Sequence, residues 1–206
     1  MVALSSQAGP VSSPFNPEQQ RRFDEQFEKA VAKYPPERRR SALIAVLHLA
    51  QDELGWLSEP AMVYVGWRLD VPPVRVREVA TFYTMYRLRP TGTHVISVCT
   101  NLACKLRGAE AVFEAAHEES GVAHGAEMSD DGLFTVHEEE CLGVCDFAPA
   151  VQIDLGNHDN VSPERMRELV AGLRAGEVPS PARGPAFDSF RAASRALAGF
   201  QEVPSA

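Results

Sequence analysis

The sequence of 206 residues has no long hydrophobic run. No stretch approaches the roughly 20 apolar residues that cross a bilayer, and the most apolar segment, SALIAVLHLA, is followed at once by Gln51, Asp52 and Glu53. We therefore expect no transmembrane segment. The first residues, MVALSSQAGPVSSPF, also lack the basic start and apolar run of a secretory signal, so we expect a cytoplasmic location.

The sequence also has little positive charge and no nucleotide-binding motif. Lys and Arg number 20 against 28 Asp and Glu, which gives a formal net charge of −8. This is the wrong sign for a protein that binds phosphate backbones, so we expect no nucleic-acid partner. The chain contains neither a G-x-G-x-x-G turn nor a P-loop, so any nucleotide chemistry must take place on a partner. A hydrophobic content of 45% is typical of a globular protein with a core.

Changes in residue pattern divide the chain into four segments. Residues 1–16 are rich in Ser, Pro and Ala without an apolar face, so we predict a disordered lead-in. Residues 17–90 have apolar side chains at helical spacing in several short segments, which predicts a helical N-terminal region. A turn signal at Pro90-Thr91-Gly92 opens residues 91–176, and residues 177–206 form a tail rich in Pro and Ala.

The segment 91–176 alternates between strand and helix patterns. HVISVC, LFTVH and AVQIDL are rich in apolar and β-branched residues and predict strands. Helical spacing between the first two, and again after Ser162, completes the order β-α-β-β-α. With the N-terminal helices, this order predicts an α+β fold in which a helical bundle precedes a small sheet covered by helices.

The tail contains one candidate helix. Phe187, Phe190, Leu197 and Phe200 fall on one helical face. This helix either folds back on its own domain or docks on a partner, and the pattern does not decide between the two.

All four cysteines lie beside predicted strands. Cys99 and Cys104 have C-x4-C spacing in VCTNLACKLRG, and Cys141 and Cys145 have C-x3-C spacing in ECLGVCDFAPA. If neighbouring strands carry them, the two loops meet at one end of the sheet and form a four-thiolate pocket. A reducing compartment makes a structural disulfide improbable, so the pattern favours metal binding or redox chemistry.

The spacing leaves more than one cofactor open. Structural zinc sites also use four cysteines, although usually in tighter C-x2-C pairs, and a thioredoxin-type disulfide would require the C-x2-C motif that is absent here. For a 2Fe-2S cluster, backbone amides at Gly108 and Gly143 and the cations Lys105 and Arg107 are placed to stabilise the negative charge. Several acidic residues near the cysteines predict a low reduction potential. They are Glu138, Glu139, Glu140 and Asp146.

The segments CTNLACKLRGAE and ECLGVCDFAPAVQI resemble the thioredoxin-like 2Fe-2S ferredoxin module of the small iron–sulfur subunit of NADH-quinone oxidoreductase, respiratory complex I. KYPPERRRSALIAVLHLAQDELGWLS and VREVATFYTMYRLRPTG resemble the helical N-terminal region of the same family. The resemblance covers roughly residues 20 to 175. It implies a thioredoxin-like domain with Cys99, Cys104, Cys141 and Cys145 as the ligands of one 2Fe-2S cluster.

The resemblance further implies an electron-transfer subunit without a complete active site of its own. In the family, this subunit lies beside the flavoprotein that binds NADH and FMN, and its cluster exchanges electrons with that flavin. The implied partners are this flavoprotein and other peripheral-arm subunits, on the cytoplasmic side of the inner membrane. Diaphorase subunits of NAD-linked hydrogenases and formate dehydrogenases share the module and remain an alternative. A zinc-stabilised interaction module is the alternative from another functional class.

Overall fold

The structure is a computed structural model, and it describes residues 11–197. The chain divides into two compact units, Met1–Pro90 and Thr91–Ala206. Within residues 11–197, none of the helices combines the length and the apolarity needed to cross a membrane.

The first unit consists of short helices around an apolar core. Capping residues next to the helices explain three of the helix ends. The Asn16 side chain accepts backbone N–H bonds at the start of the first helix, Ser58 does so at the third, and Gly55 ends the second in a left-handed conformation. The helices are α1 (Pro17–Val31), a 3-10 turn (Pro36–Ala42), α2 (Leu43–Leu54), α3 (Glu59–Leu69) and α4 (Pro73–Phe82).

The predicted disordered lead-in is wrong at its last two residues. Phe15 is buried, and its ring stacks on that of Phe23 with 4.6 Å between the ring centroids. Asn16 forms a reciprocal capping box with Gln19 at the start of α1. Burial of one aromatic ring and the satisfied helix amides offset the entropy of ordering this short stretch. Residues 1–10 of the predicted lead-in lie outside the described residues.

The second unit is built on a four-stranded sheet in the order β2-β1-β3-β4. β1 and β2 are parallel, and the other two neighbouring pairs are antiparallel. The strands are β1 (His94–Cys99), β2 (Phe134–Glu139), β3 (Val151–Ile153) and β4 (Gly156–His158). The helices are α5 (Leu102–Leu106), α6 (Ala109–Ser120), α7 (Pro163–Arg174) and α8 (Phe190–Leu197). The predicted mixture of N-terminal helices and a small sheet with helices is present.

The core of the second unit includes residues of the sheet and of α6 and α7. Every residue of β1 is buried, and β1 has a neighbouring strand on each side. Ile96, Val112, Phe134 and Met166 are fully buried members of one apolar cluster. Such packing fixes β1 firmly, and β1 therefore provides a rigid support for the residues at its end.

Two elements of this unit differ from the predicted order. The stretch between Cys99 and Ala109, predicted as a loop, contains the five-residue helix α5, which Asn101 caps at its N-terminus. The predicted strand AVQIDL is shorter, and a tight turn at Asp154 and Leu155, both with positive φ, leads into the additional strand β4. Elements of three to five residues are too short to show a periodic pattern.

The tail helix folds back on its own unit. Phe190, Ala193 and Ala196 of α8 are buried, and the Phe190 N–H donates a hydrogen bond to the Thr93 carbonyl at 3.0 Å. Of the two interpretations left open by the sequence, the structure therefore supports folding back. Phe200, predicted on the same face, lies outside the described residues.

Candidate metal centre

Cys99 and Cys104 lie on regular secondary structure and form what we call the strand–helix pair. Cys99 is the last residue of β1, and its N–H donates to the Ala150 carbonyl at 3.1 Å. Cys104 is the third residue of α5, after the Asn101 cap. Both side chains are buried, so the fold of the unit largely determines where these two sulfurs lie.

Cys141 and Cys145, which we call the loop pair, lie in the connection between β2 and β3. Both are exposed. Gly143 takes a left-handed conformation with φ of 72°, and its N–H donates to Cys141 Sγ at 3.3 Å. Cys145 opens a 3-10 turn that ends at Phe147, whose carbonyl accepts the Asn160 N–H at 2.8 Å. A few individual hydrogen bonds therefore hold the loop pair.

The sheet topology brings both pairs to one end of the sheet. β1 and β2 run parallel, with Cys99 opposite Glu139, so the chain leaves β2 beside Cys99 and reaches Cys141 two residues later. β3 runs antiparallel to β1 with Val98 opposite Val151, so the loop pair, which precedes β3, returns to the same end. The sequence prediction that the two cysteine loops meet is consistent with this topology.

Neighbouring thiols raise the pKa of Cys104 and of Cys145. The pKa of the Cys104 thiol is raised to about 11, mainly by burial and also by the nearby Cys99 and Cys145 thiols, while a backbone hydrogen bond with Ala150 opposes the rise. The pKa of Cys145 is raised first by the charge of Cys141, then by burial, and also by Cys99. The effect of one thiol on the pKa of another is stronger within each pair than between the pairs.

This arrangement fits a 2Fe-2S core in its donor set. All four thiols are free of disulfides, and within residues 11–197 no three or more Cys, His, Asp or Glu side chains converge on a single metal ion. The thiols form two pairs instead. Each iron of a 2Fe-2S core takes two protein ligands, so two neighbouring thiol pairs are the set that such a core requires.

The backbone donors agree only in part with the sequence prediction. The Gly143 amide contacts a cysteine sulfur as predicted, whereas the Gly108 N–H is bonded to the Lys105 carbonyl at 3.0 Å. Lys105 Nζ forms an ion pair with Glu110 at 2.7 Å, which reduces the positive charge available to a cluster. Sequence reasoning missed the Ala150 backbone, because alanine carries no chemical signal and its role follows from its position beside β1.

Comparisons with known proteins identify the family. The profile of the thioredoxin-like [2Fe-2S] ferredoxin family matches residues 27–174. The E subunit of the NADH-quinone oxidoreductase of Mycobacterium tuberculosis is 39% identical over 181 residues, which are 88% of this chain and 71% of that protein. The corresponding E subunit of Rickettsia bellii is 43% identical over 148 residues, 71% of this chain and 88% of that protein.

A solved structure supports the fold. The crystal structure of an NAD+-reducing [NiFe]-hydrogenase in the H2-reduced state matches 66% of this chain with a TM-score of 0.56 and 21% identity. The match spans only 22% of that hydrogenase chain, and at this identity it bears on the fold alone. The predicted resemblance and the predicted thioredoxin-like fold are confirmed. The chain belongs to the thioredoxin-like [2Fe-2S] ferredoxin family, with one 2Fe-2S cluster as its cofactor.

Proposed function

We propose that the chain is an electron-transfer subunit of an NADH:quinone oxidoreductase, in which it exchanges electrons between its cluster and the FMN of a partner flavoprotein that binds NADH. Cys99, Cys104, Cys141 and Cys145 are the proposed ligands, with each pair holding one iron. The observation that carries the proposal is the convergence of two thiol pairs at one end of the sheet in a chain whose relatives are E subunits of that complex. The complex would hold the chain on the cytoplasmic side of the inner membrane.

The exposed side of the site supports a docking role. Electron transfer slows steeply with distance, so a flavin-bearing partner has to approach the sulfurs closely. Leu102 and Leu106 lie one turn apart on α5, opposite Cys104, and are 69% and 78% exposed. Phe147, in the turn that begins at Cys145, is 41% exposed. Exposed apolar side chains around a buried cysteine are typical of a protein–protein contact, and we assign this rim to the flavoprotein.

Co-expression with the proposed flavoprotein partner tests this assignment. The double substitution Leu102→Ser and Leu106→Ser is expected to reduce recovery of the flavoprotein on an affinity-tagged chain about tenfold or more, because it removes two apolar contacts. Iron content should not change. The matched control is Met128→Ser with Val178→Ser, which changes two exposed apolar side chains elsewhere in the same unit.

NADH provides the functional readout. In the co-purified pair, NADH should reduce the cluster and give a paramagnetic signal, and this signal should weaken in parallel with flavoprotein recovery in the leucine variant. Recovery of a flavoprotein that cannot reduce the cluster would contradict the proposed electron exchange. Zinc alone after anaerobic purification would contradict the iron–sulfur site.

The equivalent diaphorase subunit of an NAD-linked hydrogenase is the second candidate. The sequence resemblance extends to the module of this subunit, and the proposed ligands and flavoprotein contact are the same. The other chains that co-purify distinguish the two candidates, because a quinone-reducing complex and a NiFe hydrogenase carry different catalytic subunits. Recovery of a NiFe subunit would favour the second candidate.

A further inference from the structure

The tail returns to the sheet after the family profile has ended at residue 174. We call residues 181–184 the strap. The Ala182 N–H donates to the Asn157 carbonyl at 2.7 Å, and Arg183 forms an antiparallel bridge with Asn157. The strap therefore extends the hydrogen bonding of β4, the last strand in the sheet order.

Close packing holds the strap against β4. A Cβ atom built on Gly156 would lie 3.0 Å from Pro181 Cβ, which is closer than a side chain tolerates without movement of its neighbour. Glycine at this position thus allows the strap to approach the backbone of the strand. A larger residue at 156 would push against Pro181.

Arg183 links the strap to the loop that carries Cys145. Its guanidinium carbon lies 4.7 Å from the centroid of the Phe147 ring, and Phe147 ends the turn that Cys145 begins. Arg183 Nη2 also forms an ion pair with Asp159, whose side chain is only 15% exposed. The guanidinium therefore contacts both the loop and the segment that supports it.

The same segment supports the loop through its backbone. The Asn160 N–H donates to the Phe147 carbonyl at 2.8 Å, and the Val161 N–H donates to the Pro149 carbonyl at 3.0 Å. Asp159 precedes these two residues, and its largely buried carboxylate would be costly without a cation beside it. Arg183 thus stabilises both sides of the contact between residues 145–149 and residues 159–161.

We propose that the strap is a positioning element of the iron–sulfur site and that Arg183 is its positioning residue. Arg183 restrains Phe147 and, through it, the turn that places the Cys145 thiol. Its positive charge balances Asp159, so that no unpaired carboxylate opposes the arrival of an electron on this side. The inference rests on the proposed role of Cys145 as a ligand and adds to it a tail contact that lies beyond the family match.

Arg183→Ala in the full-length, cluster-loaded chain tests the proposal. Loss of the stacking and of the ion pair is expected to increase the rate of cluster loss to an iron chelator about tenfold. The midpoint potential should fall, because the variant removes a positive charge from this side of the site. Hydrogen exchange should increase in residues 145–161, while β1 remains protected.

Two further variants separate charge from positioning. Arg183→Lys keeps the charge but not the planar stacking, so its potential should remain at the wild-type value while cluster loss is intermediate. Gly156→Ala displaces the strap through Pro181 without a change of charge, so cluster loss should accelerate with little change in potential. This variant also tests the strap if Arg183→Ala fails to fold.

Arg167→Ala is the matched control. It removes the same charge from α7, where Arg167 pairs with Glu118 at 3.1 Å, and should leave potential and cluster loss unchanged. Wild-type potential and cluster loss in Arg183→Ala would overturn the strap proposal. An intact cluster spectrum in Cys145→Ser would instead overturn the ligand assignment, so the two failures are distinguishable.

Discussion

The strand–helix pair and the loop pair lie at the same end of one sheet but are held in place differently. Cys99 and Cys104 are buried on β1 and α5, where regular hydrogen bonds and core packing fix the backbone. Cys141 and Cys145 are exposed and depend on single hydrogen bonds, such as that from the Gly143 amide. The comparison indicates that one side of the site provides rigidity and the other provides access.

The electrostatic environments of the two pairs differ as well. The pKa of Cys104 is raised mainly by burial, whereas the pKa of Cys145 is raised mainly by the like charge of Cys141. Bound iron favours the thiolate form in both cases, so cluster assembly has to release protons. Burial limits the access of solvent to Cys99 and Cys104, whereas solvent reaches the exposed Cys141 and Cys145.

The largest expected effect is therefore a difference in cluster content between single cysteine substitutions in the two pairs. Cys104→Ser should lower iron and acid-labile sulfide per chain to about a tenth of wild type or less, because no solvent ligand can reach the buried position. Cys141→Ser should retain part of the cluster with an altered visible spectrum, because water can reach the exposed loop pair. Metal analysis and absorbance spectroscopy measure both results.

Thr100→Ser, one residue after Cys99, is the matched control and should keep full iron content. Equal cluster loss in Cys104→Ser and Cys141→Ser would remove the distinction between the pairs. A wild-type spectrum in either cysteine variant would remove that cysteine from the ligand set.

A smaller effect is expected from Gly143→Ala in the loop pair. Gly143 has a positive φ, at which an alanine costs about 1 to 2 kcal/mol, and a shift of the backbone would withdraw the N–H from Cys141 Sγ. Opening of the loop should become about tenfold more frequent, and cluster loss to a chelator should accelerate by a similar factor. The midpoint potential should fall, because a hydrogen bond to a cysteine sulfur stabilises the reduced state.

Gly125→Ala provides the control for backbone strain alone. Gly125 also has a positive φ, and an added Cβ meets no atom within 4 Å there, as at Gly143. It lies in the connection between α6 and β2, away from the cysteines. If both alanine variants lose the cluster at the same rate, general destabilisation explains the result and the Gly143 hydrogen bond has no specific role.

The sequence predicts the cysteine chemistry of the site better than it predicts the contacts that hold the cysteines in place. Cysteines that follow strands can be located from local pattern, because apolar and β-branched runs identify β1 and β2. The Gly143 amide could also be predicted, since glycine between two cysteines permits a tight turn. The short helix α5 has one sequence signal in the Asn101 cap, but five residues do not establish a period.

The remaining supports arise from contacts between distant segments. Ala150 reaches Cys104 only because β3 pairs with β1, and Arg183 reaches Phe147 only because the tail returns to β4. No local spacing encodes either contact. The burial of Phe15 has the same cause, since its partner Phe23 belongs to the next element.

The smallest expected effect is a pH dependence of local stability, confined to the segment that supports the loop pair. His158, at the end of β4, is buried, and burial, with a further contribution from Arg165, lowers its pKa against a weaker opposing effect of Asp159. Above the ordinary histidine pKa of about 6.5, the imidazole is neutral in closed and open states alike. As the pH falls below this value, only the open state takes up the proton, so the closed state loses stability relative to the open state. This loss continues until the pH falls below the pKa of His158 in the closed state.

Hydrogen exchange of the full-length, cluster-loaded chain measures this effect. After correction for intrinsic rates, protection of the Asn160 amide should fall a few-fold between pH 7 and pH 5.5, within the limit of about tenfold per pH unit for one proton. Protection of the Cys99 amide, which donates to Ala150, should change less. His158→Gln should remove the difference, whereas His124→Gln, at an exposed histidine paired with Glu114, should preserve it. Parallel loss of protection at Asn160 and Cys99 would mean that acid loosens the whole sheet end, and the two cysteine pairs would then share one support.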